Sequence, residues 1–465
     1  MSAPILWIAI PFITGVLIFL FLQERYSAWV GGTLSAILAL TALLLPIDTA
    51  LLLGSVSLKI SPSIQFFGRS FEFNMADGPL LAIIYGVAAL WFFGTEASGT
   101  ANRFVSFGLM IVALLTASIA VVPFLFAALL LEIAAMLVIP LLVSAYQTPG
   151  RGVVRFLIYQ TLAMPFILFS GWMLAGVEAS PSDLGTTTQA GMMLALGFAF
   201  LLAVFPLYNW IPMLMEEASP YATGFLLWAL PAFTVIFALD FLDQYAWLRT
   251  SPQLTSAMQF AGLFMVASGG IFASLQRHIG RMLGYGTIAE TGLLILVMGL
   301  RSSEIVSLTF LILIPRGLTL VVWALALSII KRNSYSLQFS EIQGLARSYP
   351  LTVAAIFFAH LSMAGFPLLA GFPARLAIWQ ELSRQSGDTT LWVFVGMLGL
   401  LVAALRTLAV FVMAEEEKKW SMNESWVQLT MLGLGIIGLF ILGMFPQILQ
   451  PFLADLPLLF DRIGH

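Results

Sequence analysis

The sequence contains no cysteine, which excludes a disulfide, a thiolate nucleophile and a cysteine-ligated iron-sulfur cluster from this chain. Its three histidines, His278, His360 and His465, are too scattered to build a metal or haem site. Charge is scarce as well. Only 9% of the 465 residues are charged, against about 25% in a soluble domain. Twenty basic and 23 acidic side chains give a net charge of -3, with no cationic surplus for wrapping nucleic acid. Lysine occurs four times, at Lys59, Lys331, Lys418 and Lys419, all of them expected in loops. Glycine-rich phosphate loops, HExxH helices and serine nucleophile elbows are missing too, so neither a self-contained active site nor a cofactor is expected in this chain.

What is present is apolar: 60% of the residues are hydrophobic and the mean hydropathy is +1.00. Crossing about 30 Å of hydrocarbon takes roughly 20 apolar helical residues. The predicted fold is therefore an all-α, polytopic membrane protein of about fourteen transmembrane helices. Spans are expected near Ala3 to Leu22, Val30 to Leu45, Gly78 to Phe93, Phe104 to Ala120, Val122 to Val143, Val153 to Leu174 and Gly191 to Trp210. The pattern continues near Ala222 to Leu242, Leu254 to Phe272, Leu283 to Gly299, Val306 to Ile330, Leu351 to Glu381, Leu391 to Met413 and Val427 to Leu442. The first apolar run precedes the first basic residue, the reverse of a cleavable signal peptide, and is read as a span.

Two spans, around Pro206 to Pro212 and Gly365 to Pro373, are interrupted by glycine and proline. Such breaks free backbone carbonyls in mid-membrane, which survive only inside protein or beside water, with Asn209 and Ser362 placed to bond near them. The breaks fall in the seventh and twelfth spans. That spacing predicts two five-helix inverted repeats, 104–242 and 243–413, preceded by three helices in 1–103 and followed by a loop and last helix in 414–465. With the N-terminus outside, eleven basic residues fall in inner loops, six in outer loops, and Arg316, Arg375 and Arg406 within spans. The positive-inside rule thus places both termini outside, and a bacterial inner membrane is the simplest location. Lys331 to Arg347 and Glu415 to Lys419 read as solvated loops.

Ionisable groups within a bilayer are costly and need a partner or a purpose. Glu132, in LFAALLLEIAAMLVIP, is read as a proton-exchanging carboxylate with Arg155 of the next span within reach. Glu290, Arg316, Arg375 and Arg406 are expected to form a polar thread through the second half, the arginines staying charged and tuning the carboxylate. His360, in FFAHLSMAG, is a candidate relay or a packing residue. Asp240 and Asp243 read as interfacial, and Trp210, Trp228, Trp379 and Trp420 as membrane-interface anchors.

LSMAGFPLLAGFPARLAIW resembles the LSLAGIPPLAGFxGKF break of the antiporter-like membrane subunits shared by respiratory complex I, energy-converting hydrogenases and Mrp-type cation/proton antiporters. SLQRHIGRMLGYGTIAETG and PLYNWIPMLMEEASP resemble that family's SLxQxDIKRLLAYSSISHLG and PFHxWLPDAHxEAPT, and LLLEIAAMLVIPLLV its WELxSLPLYLLV. The resemblance covers roughly Phe104 to Met413. It implies proton transport along a buried polar axis and partner membrane subunits, with flavin, iron-sulfur clusters and quinone carried elsewhere in the assembly. By the same resemblance Glu132 matches the first-repeat glutamate and Arg375 the lysine after the second break. Arg316 lies near a buried lysine, and Glu290 replaces a histidine or glutamine. The chain departs from the family at Leu201, where a lysine is expected, at Tyr208, which replaces a histidine, and in the eighth span, which lacks its lysine.

Overall fold

The computed structural model describes residues 2–22, 24–53, 56–66, 68–100, 103–143, 148–179, 184–300, 302–413, 420–460 and 462–463. A π-turn over Ile5–Ala9 leads into α1 (Ile10–Phe21), followed by α2 (Glu24–Leu44). Two short antiparallel hairpins come next, β1 (Ala50–Leu53) with β2 (Val56–Lys59), and β3 (Ser63–Phe66) with β4 (Arg69–Glu72). The helical bundle then runs through α3 (Asp77–Ser98), α4 (Arg103–Ala120), α5 (Ala127–Leu142) and α6 (Arg151–Ala179). Between α4 and α5, β5 (Val121–Val122) adds a third strand beside β4. These strands were not expected from the sequence.

The seventh apolar segment is divided into α7 (Leu184–Leu201) and α8 (Trp210–Glu217), followed by α9 (Pro220–Gln244) and the short α10 (Ala246–Thr250). The second half contains α11 (Pro252–Leu275), α12 (Ile279–Met298) and α13 (Ile305–Asn333). The second divided segment is α14 (Pro350–Met363) with α15 (Phe372–Gln385), after which come α16 (Gly387–Val412), α17 (Trp426–Met444) and α18 (Gln450–Asp455). Among the described residues, eleven helices are long and apolar enough to cross a membrane, and Ile5–Phe21 and Pro350–Met363 are shorter apolar helices. The all-α membrane architecture is as expected. The helices on each side of the second break are too short to span singly, because the 14 residues of α14 and the 14 of α15 each rise only about 21 Å.

The most enclosed helices are α9, α12 and α13, whose buried residues run all round the helix. Side chains expected at the membrane interface belong to this core instead. Trp228 stacks on Trp91 at 6.4 Å between ring centroids, and Trp210 packs on Phe156 at 5.1 Å; both tryptophans face inward although they lie near span ends. Trp420 is exposed. Asp243 is likewise buried, its Oδ1 accepting from the Arg462 backbone N–H. Helices α11 and α16 meet backbone to backbone. A Cβ added at Gly270 would lie 1.9 Å from the Gly396 carbonyl oxygen, so only glycine permits this approach.

Candidate functional site

The second half carries an ionic cluster at the level of the α14–α15 break. Glu290 (α12), Arg316 (α13) and Arg375 (α15) are each no more than 2% exposed. Arg375 Nη2 donates to Glu290 Oε1 at 2.6 Å, and Arg316 Nε lies 3.9 Å from Glu290 Oε2. The arginines also bind freed backbone. Arg375 reaches the carbonyls of Met363 and Gly371 on either side of the break, at 3.0 and 3.3 Å. Arg316 Nη2 donates to the Leu227 carbonyl and to Thr291 Oγ1, at 3.0 and 3.1 Å. A proline at position 315 removes a ladder donor one residue before Arg316, within a continuous α13. Two guanidiniums therefore share one carboxylate, leaving an excess positive charge in a water-poor interior.

Polar groups continue from the cluster along α13 and α14. Thr319, one turn beyond Arg316, meets Ser362 hydroxyl to hydroxyl at 3.1 Å, and Ser362 Oγ accepts from Gly371 N–H at 3.1 Å. The Ser362 expectation thus holds geometrically, while Asn209 at the first break is exposed. His360 is fully buried against Trp323, with ring centroids 4.3 Å apart, and neither ring nitrogen has a protein hydrogen-bond partner. Glu290 Oε2, Arg316 Nη1 and Arg375 Nε also have free bonding capacity toward the interior. Toward the first break, Gln160 Nε2 donates to the Leu201 carbonyl at 3.3 Å. Gln160, Leu201, Thr287 and Thr291 line a cavity of about 10 Å³, about the room of one water. Thr291, Thr319 and Gln160 had no signal in the sequence, because lone threonines and glutamines in apolar helices are common.

Arg406 does not join the cluster. Its neighbour Thr407 bonds Met282 Sδ in the first turn of α12, eight residues or about 12 Å of helix from Glu290. The Arg406 guanidinium lies over the Phe339 ring instead, 5.6 Å from its centroid. The expected Glu132–Arg155 pair is also not formed. Arg155 is exposed and reaches Met213 Sδ at 3.3 Å, whereas the neighbour of Glu132 on α6 is Thr161. Six residues of helix turn through about 600°, so Arg155 and Thr161 point to different sides of α6.

One end of the bundle is held by charge. Arg281 Nε pairs with Glu216 Oε2 at 2.7 Å, Glu217 Oε2 accepts from Gly152 N–H, and Lys331 Nζ donates to the Ala218 carbonyl at 2.8 Å. Lys331 thus belongs to the last turn of α13 rather than to a loop, and Lys418 and Lys419 lie outside the described residues. His278 caps α12 here, its Nδ1 accepting from Arg281 N–H at 3.3 Å. Burial holds the His278 imidazole below its ordinary range, against the opposing pull of Glu216. A lowered folded-state value gives stability that is complete above the unfolded value of about 6.5 and is lost as pH falls. The melting midpoint in detergent should therefore drop between about pH 7 and pH 5. His278→Asn, which caps without titrating, should flatten that dependence. An identical pH profile in the variant would show that His278 does not contribute to it.

Comparison with known proteins places these features in context. Residues 110–402 match the family described as NADH:quinone oxidoreductase/Mrp antiporter, TM. NADH-quinone oxidoreductase subunit N of Dehalococcoides mccartyi is 25% identical over 298 residues, covering 60% of this chain and 60% of the relative. The chain thus spans about 60% of the length of that relative. A chain of respiratory complex I from Thermus thermophilus has a TM-score of 0.79 at 17% identity, with 100% of this chain and 99% of that chain covered. A chain of the Mrp complex from Dietzia sp. has a TM-score of 0.79 at 14% identity, with the same coverage. At such identities these two structures establish the shared fold.

Proposed function

The chain belongs to the NADH:quinone oxidoreductase/Mrp antiporter transmembrane family, and we propose from that membership that it is an antiporter-like, proton-translocating subunit of a complex I-type NADH-quinone oxidoreductase, of the subunit N kind. Electron transfer then takes place in partner subunits, which hold flavin, iron-sulfur clusters and quinone, and this chain responds by moving charge and water. The observation that carries the reading is the cluster at the second break. A carboxylate held between two guanidiniums, next to opened backbone and hydroxyls, changes its proton affinity when either guanidinium moves. Among the described residues, the proposed route runs through Glu290, Thr319, Ser362 and His360, while Arg316 and Arg375 set the field. The division into two inverted repeats, about fourteen spans, both termini outside and a bacterial inner membrane belong to the same proposal.

The test uses the whole complex in sealed vesicles, with Glu290→Gln combined with Arg316→Met so that the cluster keeps its excess charge. Protons moved per electron pair should fall while the complex stays assembled. An unchanged ratio would favour a second reading, that of an architectural subunit which has kept the fold without conducting. That reading is favoured by Leu201, an apolar side chain lining the small cavity between the two halves.

A further inference from the structure

On one side of the bundle, where the two halves adjoin, α7 and α11 stand apart. Helix α7 packs on α6 and α9, α11 packs on α12 and α16, and a cavity of about 160 Å³ lies between them. Its long walls are alanines at one-turn spacing, Ala195 and Ala199 on α7 and Ala257 and Ala261 on α11. Ala195 and Ala257 are exposed, so the cavity opens sideways between the two helices. Outside the opening stand the exposed side chains of Leu196 and Phe260, a surface for hydrocarbon. Deeper in, Leu194, Leu242, Ile295 and Met298 form the floor, each at most 8% exposed. Every lining residue is apolar or glycine. Water has no bonding partner in such a place, and an apolar cavity of about 150 Å³ stays dry and takes up benzene. Left empty, the slot would forfeit the packing of both walls. A helix, about 10 Å across, is too wide to enter.

The slot has distinct ends. At one, a Cβ added at Gly191 would lie 3.3 Å from Trp247 Cζ3, so the indole lies across α7 there, and its Nε1 is shielded from solvent without a hydrogen-bond partner. Trp247 and Arg249 belong to α10, between the ends of α9 and α11, and such residues sit at the level of lipid headgroups. One turn from Ala261 at the other end, Phe264 meets Phe205 with ring centroids 4.2 Å apart. Between Gly191 and Leu202, which both line the slot, α7 rises about 16 Å.

We propose that this slot is a binding site for an acyl chain of a membrane phospholipid, which enters sideways from the bilayer with its headgroup at α10. Chain carbons supply the contacts that the alanines leave unmade, and an ester carbonyl is the acceptor that Trp247 Nε1 lacks. Leu202 lines both this slot and the small cavity beside Gln160, so the seated chain backs one wall of that cavity with hydrocarbon. The site requires only that the chain lie in a bilayer, and it stands whether or not protons pass through this subunit.

The test places the full chain in vesicles of phosphatidylethanolamine and phosphatidylglycerol doped with a phosphatidylcholine that carries a diazirine at the end of one acyl chain, and maps the photo-adducts by mass spectrometry. Native protein should be labelled at Leu194, Ile295 or Met298, which lie behind the helix surface and out of reach of lipid that stays outside. Ala199→Leu and Ala257→Leu fill the slot from opposite walls. Each should abolish the internal adducts and leave those on Phe394 and Leu398, on the exposed face of α16, unchanged. Labelling on α16 reports that a variant is folded, and the position of the native adducts decides the question without either variant. Native adducts confined to outward residues such as Leu196 and Phe260 would overturn the proposal, as would internal adducts that persist in either variant.

Discussion

Glu290→Gln is expected to destabilise the detergent-solubilised protein by about 3–5 kcal/mol, and adding Arg316→Met to recover most of that loss. The reason is charge arithmetic in a closed space. Glu290 stands between two guanidiniums that are each 1% exposed, so removing the carboxylate's charge leaves two cations facing each other without water. Removing Arg316 as well returns the cluster to a single excess charge. The cost is then the bonds of Arg316 to the Leu227 carbonyl and Thr291, about 1 kcal/mol each. Arg375 must stay, because it holds both sides of the break. Melting curves of the two singles and the double form the cycle, and losses that simply add would show that the arginines do not share the carboxylate.

Gly371→Ala should be among the most damaging single-methyl changes in the second half. The added carbon would lie 2.0 Å from the Ser362 carbonyl oxygen and 3.0 Å from Arg375 Nη1. The obstacle is space, not backbone conformation, since Gly371 has φ -75°. A backbone carbonyl cannot swing aside as a side-chain tip can, so the break must open and lose the Ser362 and Arg375 bonds, costing about 3 kcal/mol or more. Gly387→Ala, with open space around it, serves as the control and should be neutral. Equal yield and melting midpoint for the two variants would contradict the packing of the break.

Both breaks were legible in the sequence, because glycine and proline act on the backbone locally and leave their mark wherever they occur. Glu290, Arg316 and Arg375 were legible for a similar reason: charge in an apolar run requires a partner, and three such residues in the second half supply one another. Facing was not legible. Trp210 and Trp228 lie near span ends yet turn inward, and Arg155 follows Glu132 into the next helix yet points away from it. Linear spacing gives depth in the membrane well and azimuth poorly, since a few residues of helix already turn a side chain through most of a circle. Arg406 shows that depth also fails when a helix is offset along its axis from its neighbours. The hairpins between α2 and α3 went unread because short apolar and polar runs at a span end look the same as loop.

The two interruptions differ as mechanical parts. Across the second, Ser362 ties itself to Gly371, and Arg375 bonds Met363 and Gly371, so α14 and α15 behave as one stiff strut despite their missing helical turns. Across the first, Phe205, Pro206 and Asn209 are exposed, and the side-chain bonds found there among the described residues run to other helices, from Gln160 to the Leu201 carbonyl and from Tyr208 to Ser268 Oγ, which makes α7 and α8 a compliant joint. The far end of α8 is anchored through Glu216, Glu217 and Ala218 to α12, α6 and α13. A displacement of those helices is therefore taken up as bending at residues 202–209, whereas a displacement of α15 reaches α14 undiminished. The molecule has elasticity in one half and transmission in the other, and a stroke would be absorbed in the first and relayed in the second.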